Sequence, residues 1–192
     1  MISSIPVISF VGRKNSGKTT FIVKLISALE GRGVKVACVK QHKHDVPVDI
    51  IGKDSWMYAQ AGASCSIMST SRQLSLVYQR KQMAELEELA EMAAVSKCDV
   101  LIGESFNAAL DSDSGGIADR YVVARQERIE EPRFSPDESA GIITDDSSLA
   151  DQWNKAGKLI FDLNDAESFA DFLCEHYNIL NAPCKPCKFS LL

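Results

Sequence analysis

The chain has 192 residues, enough for one α/β domain that buries a sheet. Its composition, 45% apolar and 24% charged, excludes intrinsic disorder, a collagen-like repeat and a coiled coil as descriptions of the whole. With 21 basic against 26 acidic side chains the formal net charge is -5, which argues against broad capture of nucleic acid or of an anionic membrane surface.

The first apolar run, Ile5 to Val11, has no basic residue before it, so it is predicted as a first strand rather than the core of a signal peptide. It runs into Gly12-Arg13-Lys14-Asn15-Ser16-Gly17-Lys18-Thr19-Thr20, after which Phe21, Ile22, Leu25, Ile26 and Leu29 recur at helical spacing until Gly31 and Gly33. Val34 to Val39 completes a βαβ unit whose two strands should be parallel. Gln41 to Ile51 is polar and histidine-bearing, hence a loop, and Gly52 to Gly62 is predicted as a short helix. Ser64 to Ser69 and Leu74 to Tyr78 look like strands.

Met83, Leu86, Leu89, Ala90 and Ala93 then mark an amphipathic helix, followed by a strand from Asp99 to Gly103. Asn107 to Gly116 is rich in Asp, Ser and Gly, the profile of an exposed loop. Strands are predicted at Tyr121 to Ala124, Ala140 to Thr144 and Leu159 to Leu163, with helices from Ser148 and Asp165. No run of about 18 apolar residues suggests a membrane span, so the expected compartment is the cytoplasm. Cys38, Cys65 and Cys98 are expected in strands as small core hydrophobes, and a secreted disulfide framework is not expected.

Gly12-x-x-x-x-Gly17-Lys18-Thr19 matches the P-loop pattern, with a strand before it and a helix after. Its glycines let the backbone curl so that successive N–H groups cradle phosphates at a helix N-terminus. Residues Gly12 to Thr20 are therefore predicted to bind nucleotide, with Lys18 reaching the β- and γ-phosphates and the Thr19 hydroxyl ligating Mg²⁺. Asp99 to Glu104 reads as a buried strand delivering a carboxylate at the carboxyl edge of the sheet. Glu104 is thus the candidate acid for magnesium or for positioning water, and with Lys18 it makes up the expected catalytic pair.

His42, His44, Asp45 and Asp49 should emerge at the same edge, there to bind metal, position substrate or stand in solvent. Thr144-Asp145-Asp146 ends a late strand at that edge. A carboxylate there can accept two hydrogen bonds from guanine N1–H and N2–H₂; the alternative role for Asp145 is to cap the following helix. In the tail, Cys184-Lys185-Pro186-Cys187 is an unligated end, half of a zinc site or a redox pair. A homodimer could complete that site from two tails, or Cys174 and His176 could supply the remaining ligands.

With Val39-Lys40-Gln41-His42-Lys43-His44, Asp49, Gly52-Lys53-Asp54-Ser55 and Ala61-Gly62-Ala63 added to the P-loop, the chain resembles the molybdopterin-guanine dinucleotide biosynthesis protein B (MobB) family. The resemblance runs from about Ile5 to Phe106 and continues weakly through Ile143-Thr144-Asp145 and Phe161-Asp162-Leu163. It implies a GTP-binding, weakly hydrolysing homodimer that assists a molybdopterin guanylyltransferase-type partner enzyme. Carried over by position, Gly12, Gly17, Lys18 and Thr19 would hold nucleotide and magnesium, Asp49 and Glu104 would lie near the metal, and Arg13 stands where related dimeric P-loop proteins carry a lysine that reaches the partner's nucleotide. Two departures mark this chain. Gln41 follows the lysine where the family usually has histidine, and the family's Glu-Gly-aromatic-Lys segment reads Glu104-Ser105-Phe106-Asn107.

The expected architecture is a P-loop NTPase-like three-layer α/β fold with a mainly parallel sheet, residues 1–180 forming the nucleotide-binding domain and 181–192 a tail. The expected function is that of a slow GTPase in molybdenum cofactor assembly. The rival readings are a metal-insertion GTPase of the nickel-chaperone type and a small-molecule P-loop kinase.

Overall fold

A computed structural model describes residues 5–42, 46–105, 118–127 and 131–181. Its contacts divide the chain into two compact units, residues 42–85 forming one and the segments on either side of them the other. Within the predicted 1–180 domain the composition gives no sign of this division, because no Pro-, Gly- or Ser-rich linker separates the two.

The larger unit is built on a six-stranded sheet. Its strands are β1 (Val7–Val11), β2 (Val36–Lys40), β5 (Val100–Glu104), β6 (Ala118–Ala124), β7 (Gly141–Thr144) and β8 (Leu159–Asp162), in the spatial order β2-β5-β1-β6-β7-β8. Every pairing is parallel. β1 and β2 are parallel as expected, but β5 lies between them, which leaves β2 at the edge. Its Cys38 is consequently exposed rather than buried, and Cys65 and Cys98 are only partly covered. The well-buried thiol is that of Cys174, on a helix.

Side chains alternate across the sheet with the two-residue period of a strand. Ile8, Phe10, Val100, Ile102, Tyr121, Val123 and Ile143 face helices α1 (Lys18–Gly31) and α5 (Ala166–His176) in one core layer. On the opposite face Val7, Leu101 and Ala118 pack with α3 (Leu86–Val95). Val11, Val122 and Ile142 pack there with Trp153 of α4 (Ser147–Lys155). Helices on both faces give three layers, the arrangement that a parallel sheet requires if both its surfaces are to be dry. Helix α3 begins at Leu86, so Met83, expected on its apolar stripe, lies outside it and is exposed.

Two charged residues sit inside β6, which starts three residues before its predicted first residue, Tyr121. Asp119 accepts a hydrogen bond from the Tyr177 hydroxyl. Burial, reinforced by that carboxylate, raises the Tyr177 pKa, so the phenol stays protonated and remains the donor. Arg120 is buried; its guanidinium donates to the Glu138 carbonyl at 3.1 Å and lies 4.6 Å from the centre of the Phe134 ring. Helix α5 is capped by Asp165, which accepts from the Ser168 hydroxyl at 2.6 Å and from its N–H at 3.0 Å. Those bonds hold the Asp165 carboxyl below its ordinary pKa, so the cap is present above the usual carboxylate range and is lost as pH falls through the lowered value.

The smaller unit contains α2 (Asp54–Gln60) and an antiparallel hairpin of β3 (Cys65–Ser69) and β4 (Leu74–Tyr78). Thr70 closes the hairpin: its N–H donates to the Gln73 carbonyl at 2.8 Å and its hydroxyl accepts from the Gln73 N–H at 2.9 Å.

The sharpest polar contact in the core joins the Trp153 indole N–H to Ser139 Oγ at 3.0 Å, with both residues buried. Ser139→Ala leaves that N–H without an acceptor, and the expected cost is about 1–3 kcal/mol in urea unfolding. A cost below about 0.5 kcal/mol, the range of neutral surface changes, would contradict the assigned role.

Candidate functional site

The loop that follows β1 is shaped by two close approaches. A Cβ on Gly12 would stand 2.4 Å from the Val123 carbonyl oxygen and 2.9 Å from Ser16 Oγ, so this position admits only glycine. Gly17, at φ 94°, is the left-handed N-cap of α1. A Cβ there would meet Arg125 Nε at 3.1 Å and Leu163 at 3.5 Å, so the ends of β6 and β8 close around the head of this helix. Asn15 is left-handed as well, at φ 61°, a conformation that asparagine tolerates better than most residues.

Helix α1 starts with no side-chain cap and no acid in its first turn. By contrast, Asp146 caps α4 and Asp165 caps α5. The leading N–H groups of α1 therefore carry a partial positive charge without a side-chain acceptor, which makes this helix end suited to an anion.

Lys18 folds back over its own loop. Its ammonium donates to the carbonyls of Gly12 at 3.0 Å and Arg13 at 2.6 Å, and to Ser16 Oγ at 3.3 Å. Both Lys18 and Ser16 are buried. The Thr19 hydroxyl donates to Glu104 Oε1 at 2.8 Å, and Lys40 forms an ion pair with the same oxygen at 3.1 Å. Registry explains this meeting: Phe10 of β1 and Lys40 of β2 both lie opposite Glu104 of β5. Lys40 was not assigned a role from the sequence, although a lysine ending a strand whose neighbour ends in glutamate is the signal for it.

The remaining expected residues are distributed as follows. Arg13 Nε donates to the Glu131 carbonyl at 3.0 Å. Lys14 and Thr20 are exposed. Asp145 does not cap α4; Asp146 does that, accepting from the N–H groups of Ser148 and Leu149. Asp145 Oδ1 instead accepts from the Gln126 N–H at 2.8 Å, tying the end of β7 to the turn after β6. Ser105 takes φ 57° where the family's motif has glycine, so this chain carries a left-handed serine directly after Glu104.

In the smaller unit, Asp49 Oδ1 accepts from the Ser55 hydroxyl at 2.9 Å and from the Ile50 N–H at 2.8 Å. Its Oδ2 is buried with no hydrogen-bond partner among the described residues, a donor suited to a cation or a water. Gly52-Lys53-Asp54-Ser55 is thereby explained locally: Gly52 turns at φ 83°, Lys53 is the extended N-cap of α2, and Ser55 is buried as the partner of Asp49. His42 is exposed. His44, Asp45, Cys184, Cys187 and the Asn107–Gly116 loop lie outside the described residues.

The chain matches the family of molybdopterin guanine dinucleotide synthesis protein B, MobB, over residues 7–138. It is 29% identical over 185 residues to the molybdopterin-guanine dinucleotide biosynthesis adapter protein of Escherichia coli (strain K12), covering 89% of this chain and 93% of that protein. The protein of the same name from Haemophilus influenzae is 32% identical over 106 residues, 55% of this chain and 60% of its own length. Among solved structures, Bacillus subtilis MobB superposes with a TM-score of 0.66 at 25% identity, covering 89% of this chain and 97% of that one. The glycine loop, strands β1 to β6 and the Gly52–Ser55 turn all fall within residues 7–138, and the chain belongs to the MobB family.

Proposed function

We propose that this protein is a GTP-binding accessory protein of molybdopterin guanine dinucleotide biosynthesis with slow GTPase turnover, acting beside a molybdopterin guanylyltransferase-type partner enzyme. The observation that carries the reading is the preassembled loop, in which an uncapped helix end, a buried lysine and a Thr19–Glu104 pair converge where β1 and β5 end. The names of the relatives supply the pathway.

In this reading the N–H groups from Gly12 to Thr19 cradle the β- and γ-phosphates. Lys18 exchanges two neutral carbonyl acceptors for phosphate oxygens, a favourable trade because the new bonds are charge-assisted at both ends. Thr19 and Glu104 offer hard oxygen donors, which suit Mg²⁺; bound there, the ion would neutralise charge developing on the phosphates. Among the described residues no three His, Cys, Asp or Glu side chains gather into a ready-made metal cage, so nucleotide oxygens and water would complete its shell. Glu104 Oε1 is engaged by Thr19 and Lys40. Turnover in this reading is slow, in the intrinsic P-loop range of roughly 10⁻⁴ to 10⁻² per second.

Asp145 serves as the guanine acceptor, with Oδ1 anchored by Gln126 and the second oxygen left for the base edge. Support for a homodimer comes from the β3–β4 hairpin, whose Ile67, Leu76 and Tyr78 are exposed at 63%, 45% and 54%, an apolar surface of the kind that association covers. No described helix is long and apolar enough to cross a membrane, in keeping with action in the cytoplasm.

Lys18→Ala should weaken GTP binding in magnesium by about 100-fold or more in calorimetry. Unchanged affinity would remove the nucleotide reading. Asp145→Asn should bind GTP more weakly and lower the preference for GTP over ATP, because with its one oxygen held by the Gln126 N–H the amide turns a donor NH₂ toward the guanine donors. An unaltered ratio would assign base choice elsewhere.

A further inference from the structure

Arg125 is a cation that the functional reading leaves without a task. It directly follows β6 and is half-buried, with its Nε 3.1 Å from the point where a Cβ on Gly17 would stand. That places its guanidinium against the head of α1, beside the loop that encloses Lys18. Among the described residues Arg125 has no hydrogen-bond or carboxylate partner. A cation at a helix N-terminus is disfavoured by the macrodipole, and here a buried lysine ammonium adds like charge in the same loop. No described carboxylate pairs with it, and an anion bound at the loop would offset this arrangement.

The backbone that carries Arg125 is also held in place. The N–H of the next residue, Gln126, donates to Asp145 Oδ1 at 2.8 Å, pinning the turn that carries Arg125 to the end of β7. Just upstream, the Val123 carbonyl lies against Gly12, so the strand leading to Arg125 cannot move away from the loop without opening it. Such anchoring lowers the ordering cost of using the side chain as a ligand contact.

We propose that Arg125 is a phosphate-recognition residue of the nucleotide site, supplying from within the same chain a second cation that pairs with the phosphates held by the Gly12–Thr19 loop. The proposal rests on the nucleotide reading above and adds to it a residue outside the loop motif. Its planar fork suits two oxygens of one phosphate, a geometry that lysine cannot reproduce. It also gives a reason for glycine at position 17 besides the left-handed backbone, since a side chain there would displace the guanidinium.

The test compares wild type, Arg125→Met and Arg125→Lys for GTP affinity in magnesium, with urea unfolding of each protein in the absence of nucleotide. Met keeps the bulk and removes the charge, and Lys keeps the charge without the fork. The proposal expects Arg125→Met to bind GTP about 10- to 100-fold more weakly, Arg125→Lys to fall between it and wild type, and neither variant to unfold at a lower urea concentration than wild type, since the charge removed is unfavourable without nucleotide. If both variants bind as wild type does, Arg125 does not pair with phosphate and the nucleotide reading stands without it. A loss of affinity that tracks a loss of stability makes the residue structural and likewise overturns the proposal. If wild type itself binds no GTP, the nucleotide reading fails and this inference falls with it.

Discussion

The arrangement at the carboxyl edge depends on β1 being paired on both sides. Parallel registry sets Phe10 opposite Glu104 on one flank and opposite Tyr121 on the other. As a result Glu104 and the glycine loop leave the sheet at one level, while β6 runs on beside the loop to Ala124. No separate interaction has to recruit Glu104 to Thr19. Once the strands are in register, the hydroxyl and the carboxylate are 2.8 Å apart. The same registry brings Lys40 to Glu104 from the far edge strand. A slip of one residue in either pairing would turn Ile8 and Phe10 out of the aromatic core that they share with Phe21 and Phe169, so the packing that stabilises the fold also fixes the site.

Lys18 gives the loop its second constraint. In a nucleotide-free chain a buried ammonium needs acceptors, and the loop provides them from its own backbone and from Ser16. The loop is thereby held curled before any ligand arrives, which reduces the ordering that binding must accomplish. In the proposed reading, ligand entry moves Lys18 from carbonyls to phosphate and opens the direct Thr19–Glu104 contact.

Much of this was legible in the sequence because the relevant signals are local. The P-loop spacing, the helical recurrence of Phe21, Leu25 and Leu29, and the acid ending an apolar strand all depend on neighbours within a few residues. What escaped depends on pairing across the sheet. The strand predicted from Tyr121 stops short of Asp119 and Arg120 because charge seldom lies inside a strand; the phenol of Tyr177 and the Glu138 carbonyl that satisfy them come from distant segments. Cys38 was expected inside because nothing in its own neighbourhood reveals that β5 would insert beside β1 and leave β2 at the edge. Asp145 and Asp146 are equally plausible caps by composition, and only the geometry assigns the cap to Asp146 and the Gln126 tether to Asp145. Ser55 belongs to a recognisable motif, yet its role as the buried partner of Asp49 appears only when the turn is folded.

The central claim, that this loop is a phosphate site preassembled around an internal lysine, is tested most directly by a crystal structure of the full chain grown with magnesium and a non-hydrolysable GTP analogue. The account predicts that Lys18 Nζ leaves the carbonyls of Gly12 and Arg13 for phosphate oxygens and that Mg²⁺ takes the place of the direct Thr19–Glu104 hydrogen bond, with the backbone from Gly12 to Gly17 otherwise unchanged. Nucleotide bound elsewhere, with Lys18 still on those carbonyls, would contradict it.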